Sequence, residues 1–199
     1  MNILYLGTVL NVHDFKWSSY FAKKGHQVYF VDSGNNRLEE DEDLYKKYQQ
    51  AGVVFLPAMP VFQIRNPKVL WHWYSKLKKY IREYEIDIIH VLFVAAFALV
   101  VKHLGKPYVL TTRGSDILVV MRNIIEQSQA GNLMNRILFN QFALLFRKAK
   151  AVTSTSHKQA EFVKEAFQVN SQVVRTGVDV ETIASIDAEK YLPEILKGK

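Results

Sequence analysis

The sequence predicts an α/β domain built on a doubly wound parallel sheet with helices on both faces. Three observations carry that expectation. Short apolar runs recur from the first residues onward and alternate with longer segments whose apolar positions fall at helical spacing. Several of the runs are apolar throughout, as strands covered on both faces are, rather than alternating apolar with polar. Hydrophobic residues supply 49% of the 199 residues, including twelve Phe, ten Tyr and three Trp, so one ordinary domain can bury a core.

The elements follow in order. Asn2-Ile-Leu-Tyr-Leu6, followed by Gly7, reads as a buried first strand running into a loop. Over residues 14–24, Phe15, Trp17, Tyr20 and Phe21 sit at near-helical spacing, with Trp17 expected in the core, and Gly25 ends the helix. Residues 26–31 form a second strand, which completes a βαβ unit and demands a right-handed parallel crossover. A third short strand over 52–56 is stopped by Pro57 and Pro60. Residues 67–84 carry Val69, Trp73, Leu77, Tyr80 and Tyr84 on one helical stripe. A strand over 87–90, a helix over 95–104 closed by Gly105, and a strand over 108–112 come next. A long helix over 133–148, a strand over 151–153, a helix capped by Ser156 and running to 166, and a last strand over 172–174 complete the series. Strand and helix alternate in the Rossmann-like manner, with no internal repeat.

Bulk properties bound the function. The formal net charge is +7, with acid concentrated over residues 39–43 in what reads as a polar loop. That balance favours anionic partners such as a nucleotide, a phosphorylated lipid or a membrane surface, although a solvated lysine-rich face explains it equally. Nucleic acid is not expected as a partner, because no recognised binding motif accompanies the charge. The absence of cysteine excludes disulfides and thiolate metal sites and fits a reducing compartment. Residues 1–6 lack the charged and apolar regions of a signal peptide. The most apolar window, 86–101, is interrupted by Asp87 and His90 and is too short to span a bilayer. The expectation is a cytoplasmic protein, with peripheral contact to the inner face of the membrane as an option.

Candidate site residues cluster where strands end, because ligands of open α/β sheets bind in the crevice outside the carboxyl ends of the strands. In Pro107-Tyr-Val-Leu-Thr-Thr-Arg-Gly-Ser-Asp116 a strand ends on a cation, a glycine that lets the backbone turn, and residues able to cap a helix. Arg113 offers a rigid fork of donors matched to phosphate, or else forms a salt bridge to Asp116 or another surface carboxylate. Gly114 and Ser115 belong to the same turn, and Asp116 reads as structural. His13 stands at a helix start, where the backbone favours anions and can face the crevice. Asp14 beside it reads as the N-cap of that helix. His90, at the end of its strand, reads either as a crevice histidine handling a proton or a hydroxyl, or as a structural histidine bonded to backbone carbonyls. Thr155 and Ser156 are explained by capping. Gly7 lacks the further glycines of a dinucleotide fingerprint, so NAD binding is not expected. No metal-ligand cluster is visible, and neither metal nor cofactor is expected.

Four pieces, taken together and in order, resemble a known family. They are Tyr20-Phe-Ala-Lys-Lys-Gly-His-Gln-Val28, Ile86-Asp-Ile-Ile-His90, the run from Gly105 to Asp116, and Thr155-Ser156 opening a helix; Arg175-Thr-Gly-Val-Asp179 adds a closing turn. The chain is similar to the N-terminal domain of retaining GT-B glycosyltransferases, the group 1 or family four type. The resemblance implies that residues 1–178 form the Rossmann-like, acceptor-side half of a GT-B architecture. Residues 179–199 would begin an interdomain linker or a truncated C-terminal domain. It implies a nucleotide-sugar donor as substrate, a glycan or lipid-linked hydroxyl acceptor, and metal-independent transfer with retained configuration.

The same resemblance assigns roles. Gly7 would lie near donor phosphates and acceptor, and Arg175 would line the donor side of an interdomain cleft. Arg113 stands where the family usually has histidine, which removes a histidine-based mechanism at that position. No counterpart of the family's second, donor-binding domain is recognised before residue 199, so the chain is expected to be inactive without one. The alternative is a non-catalytic binding subunit that recruits the other half of a two-chain glycosyltransferase to a membrane. The segment 65–82 interleaves Arg65, Lys68, Lys76, Lys78, Lys79 and Arg82 with aromatics. Trp71 and Tyr74 lie off its core stripe, which suits either an anionic bilayer or a plain solvated helix.

Overall fold

In the computed structural model, which describes residues 1–8, 11–33, 42–57, 59–175 and 177, seven strands form one parallel sheet. They are β1 (Asn2–Gly7), β2 (Gln27–Asp32), β3 (Val53–Phe55), β4 (Ile88–Val91), β5 (Tyr108–Thr112), β6 (Ala151–Ser154) and β7 (Gln172–Val173). Their order is β3-β2-β1-β4-β5-β6-β7, so the chain winds outward from β1 in one direction and then in the other. This is the doubly wound, Rossmann-like α/β arrangement that the alternation predicts. The six α-helices described are α1 (Val12–Lys23), α2 (Glu42–Gln50), α3 (Pro67–Glu83), α4 (Arg122–Gln129), α5 (Leu133–Lys148) and α6 (His157–Phe167).

The reversal of strand order separates two cores. Side chains alternate across a strand, and in β1 Ile3 and Tyr5 join one cluster while Leu4 and Leu6 join the other. Phe15, Trp17 and Phe21 of α1 and Tyr48 of α2 pack with Ile3, Tyr5, Val28 and Phe30. Trp73 and Leu77 of α3, Phe142 and Phe146 of α5 and Val163 of α6 pack on the opposite side with Leu4 and Leu6. Each fully buried side chain of this size contributes roughly 1.5–3 kcal/mol, so the covered central strand anchors the whole sheet.

Several expectations need correction. The acidic stretch does not end in a loop: Glu42 and Asp43 open α2, where carboxylates complement the helix dipole. Residues 39–41 lie outside the described residues. The segment expected as an α-helix over 95–104 is a 3₁₀-helix, Ala96–His103. Its buried residues explain the change, because Ala98, Val101 and Leu104 recur every third position, as do Phe97 and Val100. A π-helical turn, Ser115–Met121, and α4 occupy a region that the sequence reading left unassigned. Asn11, not Asp14, caps α1: its side chain accepts the amide of His13 at 2.9 Å. Trp17 is half-buried rather than core, lying edge-on to His90.

Candidate functional site

The carboxyl ends of β1 and β5 and the start of α1 converge at the switch in strand order, which places Gly7, Asp14 and Arg113 together. Asp14 sits in the first turn of α1 and points back at β1, where its Oδ2 accepts the amide of Thr8 at 2.6 Å. Gly7 is required there by close approach. A Cβ at that position would collide with the Asp14 carboxylate and stand 3.1 Å from its Cγ and 3.2 Å from Leu92 Cδ1.

Arg113 leaves the end of β5, and its Nη1 pairs with Asp14 Oδ1. Both side chains are enclosed, at 7% and 1% exposure. Nε and Nη2, the other edge of the guanidinium, have no hydrogen-bond partner among the described residues and no access to solvent. Burial pushes the Asp14 carboxyl up to about 6, against the opposing pull of Arg113 and of the Thr8 amide. Arg113 therefore forms a salt bridge, but with the buried Asp14 rather than with Asp116 or a surface carboxylate.

Asp116 holds the turn beneath Arg113. Its Oδ1 accepts the amides of Arg113, Gly114 and Ile117, each at 2.9 Å, and its Oδ2 accepts the amide of Val94 at 3.1 Å. Gly114 adopts φ +118°, a conformation open to glycine and strained for any other residue. Ser115 is exposed at the start of the π-helical turn. From the end of β5, Arg113 reaches past β4 to Asp14 of α1.

His90 and His13 occupy different settings. The strand that carries His90 continues to Val91, and its ring lies against Tyr5 and under the edge of Trp17, with ring centroids 5.1 and 5.2 Å away. Its Nε2 is 2.7 Å from Thr111 Oγ1, which in turn lies 2.7 Å from Thr153 Oγ1, a polar ladder across β4, β5 and β6. The hydrogen-bond partner is a hydroxyl, not the backbone carbonyl of the structural alternative. Burial, helped by Arg113, lowers its pKa to about 3, so the ring is neutral at neutral pH. Between about pH 6.5 and 3 the unfolded chain binds a proton that the folded one refuses, and stability falls as the pH drops through that window. His90→Gln is expected to flatten the dependence of the thermal midpoint on pH across it, measured by melting at a series of pH values. His13 is exposed in the first turn of α1, and its pKa is lowered by partial burial and by Arg113 and Lys16.

Arg175 is exposed beyond β7. Thr176, Val178 and Asp179 of its turn, and the expected linker over 179–199, lie outside the described residues. Gly177 returns to the α1 side, where its carbonyl accepts Lys16 Nζ at 2.7 Å. Lys16 escaped the sequence reading; its signal was its place one turn after His13. Ser156 caps α6 as expected, and Gln159 reaches back to the Thr155 amide at 3.0 Å.

Most of the residues that build this arrangement fall within a match to a known family. The one described as Glycosyltransferase Family 4 matches residues 11–182, from the cap of α1 past β7. The chain belongs to that family. Among curated proteins no match to the chain is found. Solved structures share the fold at low identity. A glycosyltransferase from Rickettsia africae superposes with a TM-score of 0.63 at 15% identity, over 95% of this chain and 47% of the other. HepE of Anabaena, solved with UDP and glucose, gives 0.57 at 14%, over 91% and 46%. A putative UDP-N-acetylglucosamine 2-epimerase from Listeria monocytogenes gives 0.60 at 12%, over 98% and 50%. The chain spans about half the length of these structures. Within family 4, the segment matched contains Asp14, His90 and Arg113 together with the Asp116 turn that holds Arg113.

Proposed function

We propose that this chain is the acceptor-side half of a glycosyltransferase that moves a sugar from a nucleotide-sugar donor to a hydroxyl of a glycan or a lipid-linked acceptor. The observation that carries the reading is the family match over residues 11–182, which includes Asp14, His90 and Arg113. The co-crystallised UDP and glucose of the Anabaena neighbour support the donor class. Closure requires a second, donor-binding domain, on the same polypeptide or on a partner.

Arg113 is the residue proposed to meet the donor phosphates. One guanidinium edge is engaged by Asp14, and the Nε–Nη2 edge is the geometry that binds two phosphate oxygens at once. Because that edge is enclosed, phosphate contact requires the guanidinium to swing outward. Asp14, already raised to about 6, then takes up a proton instead of remaining a bare buried carboxylate. The N-terminus of α1, Gly7 and the Gly114–Ser115 turn border the same space, and the helix dipole favours the charge that builds on a departing nucleoside diphosphate. His13 is the exposed histidine available there for a proton or a hydroxyl, while His90 is buried against Tyr5 and Trp17. Arg175 is assigned to the donor side of the closed cleft. Transfer is proposed to retain configuration and to need no metal.

The test is turnover of a panel of nucleotide sugars by the full-length gene product, with glycan and lipid-linked acceptors. One donor is expected to release its nucleoside diphosphate. Arg113→Met should lower the rate by about a hundred-fold or more, with Arg113→Lys intermediate because it keeps charge and loses the fork. Unchanged rates in both variants remove Arg113 from the site, and failure to turn over any donor overturns the function. Turnover that appears only when a separately encoded chain is added supports the recruiting-subunit alternative.

A further inference from the structure

A second feature lies on the opposite face of the sheet from α1. The short 3₁₀-helix Ala96–His103 lies between the 17-residue α3 and the 16-residue α5. A 3₁₀-helix is thinner than an α-helix, and the three elements leave a groove of about 830 Å³. Trp71 and Tyr74 line one wall, Leu99 and Val100 the floor, and Met134 and Ile137 the other wall. Trp71 and Tyr74 lie off the core stripe of α3, and α5 supplies the facing side. Trp71 is 69% exposed, Leu133 69% and Met134 54%, so large apolar side chains face solvent around an apolar trough.

Charge on these three elements is one-sided. α3 carries five lysines and arginines, α5 three and the 3₁₀-helix one. Their only carboxylate is Glu83, at the last position of α3 and 3.9 Å from Lys79. Lys102 stands in the groove wall with its ammonium held by the Gln141 carbonyl at 3.1 Å and by Gln141 Oε1 at 2.6 Å. An ordinary solvated helix intersperses both signs; these elements do not, although the chain as a whole holds 19 acidic residues. Among the described residues no helix is long and apolar enough to cross a membrane.

We propose that this groove and its cationic border dock the protein on an anionic phospholipid bilayer, with Trp71, Met134 and Ile137 entering the interface and Lys68, Lys102 and Lys78, whose ammonium lies over the Tyr74 ring, meeting lipid phosphates. Apolar insertion and electrostatic attraction together give reversible interfacial binding without a spanning helix. The N-terminal halves of α3 and α5, which form the walls, lie toward the carboxyl ends of the strands. Docking would therefore bring the crevice near the bilayer surface. The inference is independent of the sugar chemistry and is tested without it.

The experiment is flotation with vesicles of phosphatidylcholine alone and with phosphatidylglycerol added. Binding is expected to the anionic vesicles only and to weaken with added salt. Lys68→Glu with Lys78→Glu should lower partitioning by about ten-fold or more. Trp71→Ser with Ile137→Ser should lower it comparably while leaving the thermal midpoint unchanged, since both side chains are exposed. Fluorescence of the unmodified protein should be quenched by brominated lipids through Trp71, because Trp73 is fully buried and Trp17 packs on the other side of the sheet. Equal binding to both vesicle types, no quenching, or unaltered binding in both double variants overturns the proposal. So does a dimer that dissociates on Trp71→Ser with Ile137→Ser in the absence of vesicle binding, which assigns the groove to a second copy of the chain.

Discussion

Asp14→Asn is expected to destabilise the fold by about 3–5 kcal/mol, the usual result of leaving a buried charge without its partner. Arg113 cannot lose its proton, so above about pH 6 that cost stays level. Arg113→Met behaves differently. It strands a carboxylate that can neutralise itself, and the Asp14 pKa, already raised to about 6 by burial, rises further once the guanidinium is gone. In the wild type the folded Asp14 holds its proton more tightly than the unfolded chain does. That contribution to stability is complete below about pH 4 and lost as the pH rises to about 6. In Arg113→Met the loss continues to higher pH, so the penalty of this variant grows above pH 6 by at most about 1.4 kcal/mol per pH unit. Urea unfolding of both variants at about pH 6, 7 and 8 checks the asymmetry. The double variant should recover part of the loss, because it removes both charges at once. Parallel pH profiles for the two single variants would mean that Asp14 and Arg113 are not a coupled pair.

Asp116→Ala is expected to cost about 3–5 kcal/mol, because it removes the acceptor for four backbone amides, two of them in fully buried surroundings. Asp116→Asn should cost roughly half as much. Its carbonyl can replace Oδ1 and keep the amides of Arg113, Gly114 and Ile117, while its NH₂ faces the Val94 amide donor to donor. Denaturant midpoints of the two variants give the comparison. The same change should loosen the turn that aims Arg113, so in Asp116→Ala the coupling between Arg113 and Asp14, measured by a double-mutant cycle, should shrink. A full-sized coupling would show that the turn is held by the π-helical segment alone.

The fold was legible because its signals are local. β5 and α5 follow apolar runs and spacings that any short window displays, and Ser156 marks the start of α6 by its own chemistry. α2 and the stretch from Ser115 to Gln129 escaped for a local reason too. The apolar pairs Leu44/Tyr48 and Ile117/Met121/Ile124 are there, but acidic and β-branched neighbours hide the period. The type of the helix after β4 was open to reading from its spacing of three, which a search for 3.6-residue periodicity passes over.

The candidate site was legible only as a set of positions. Sequence alone determined that Gly7, His13, His90 and Arg113 stand where strands end or helices begin, because strand and helix boundaries are encoded nearby. It also determined the one-sided charge of residues 65–82. Only the tertiary structure decided that Arg113 reaches Asp14 across β4, that His90 lies under Trp17 on Thr111, and that Trp71 faces Met134 and Ile137 over a groove. Each of these pairs joins residues far apart in sequence. Their partners are chosen by strand order and by which face each helix covers, and no spacing along the chain records either.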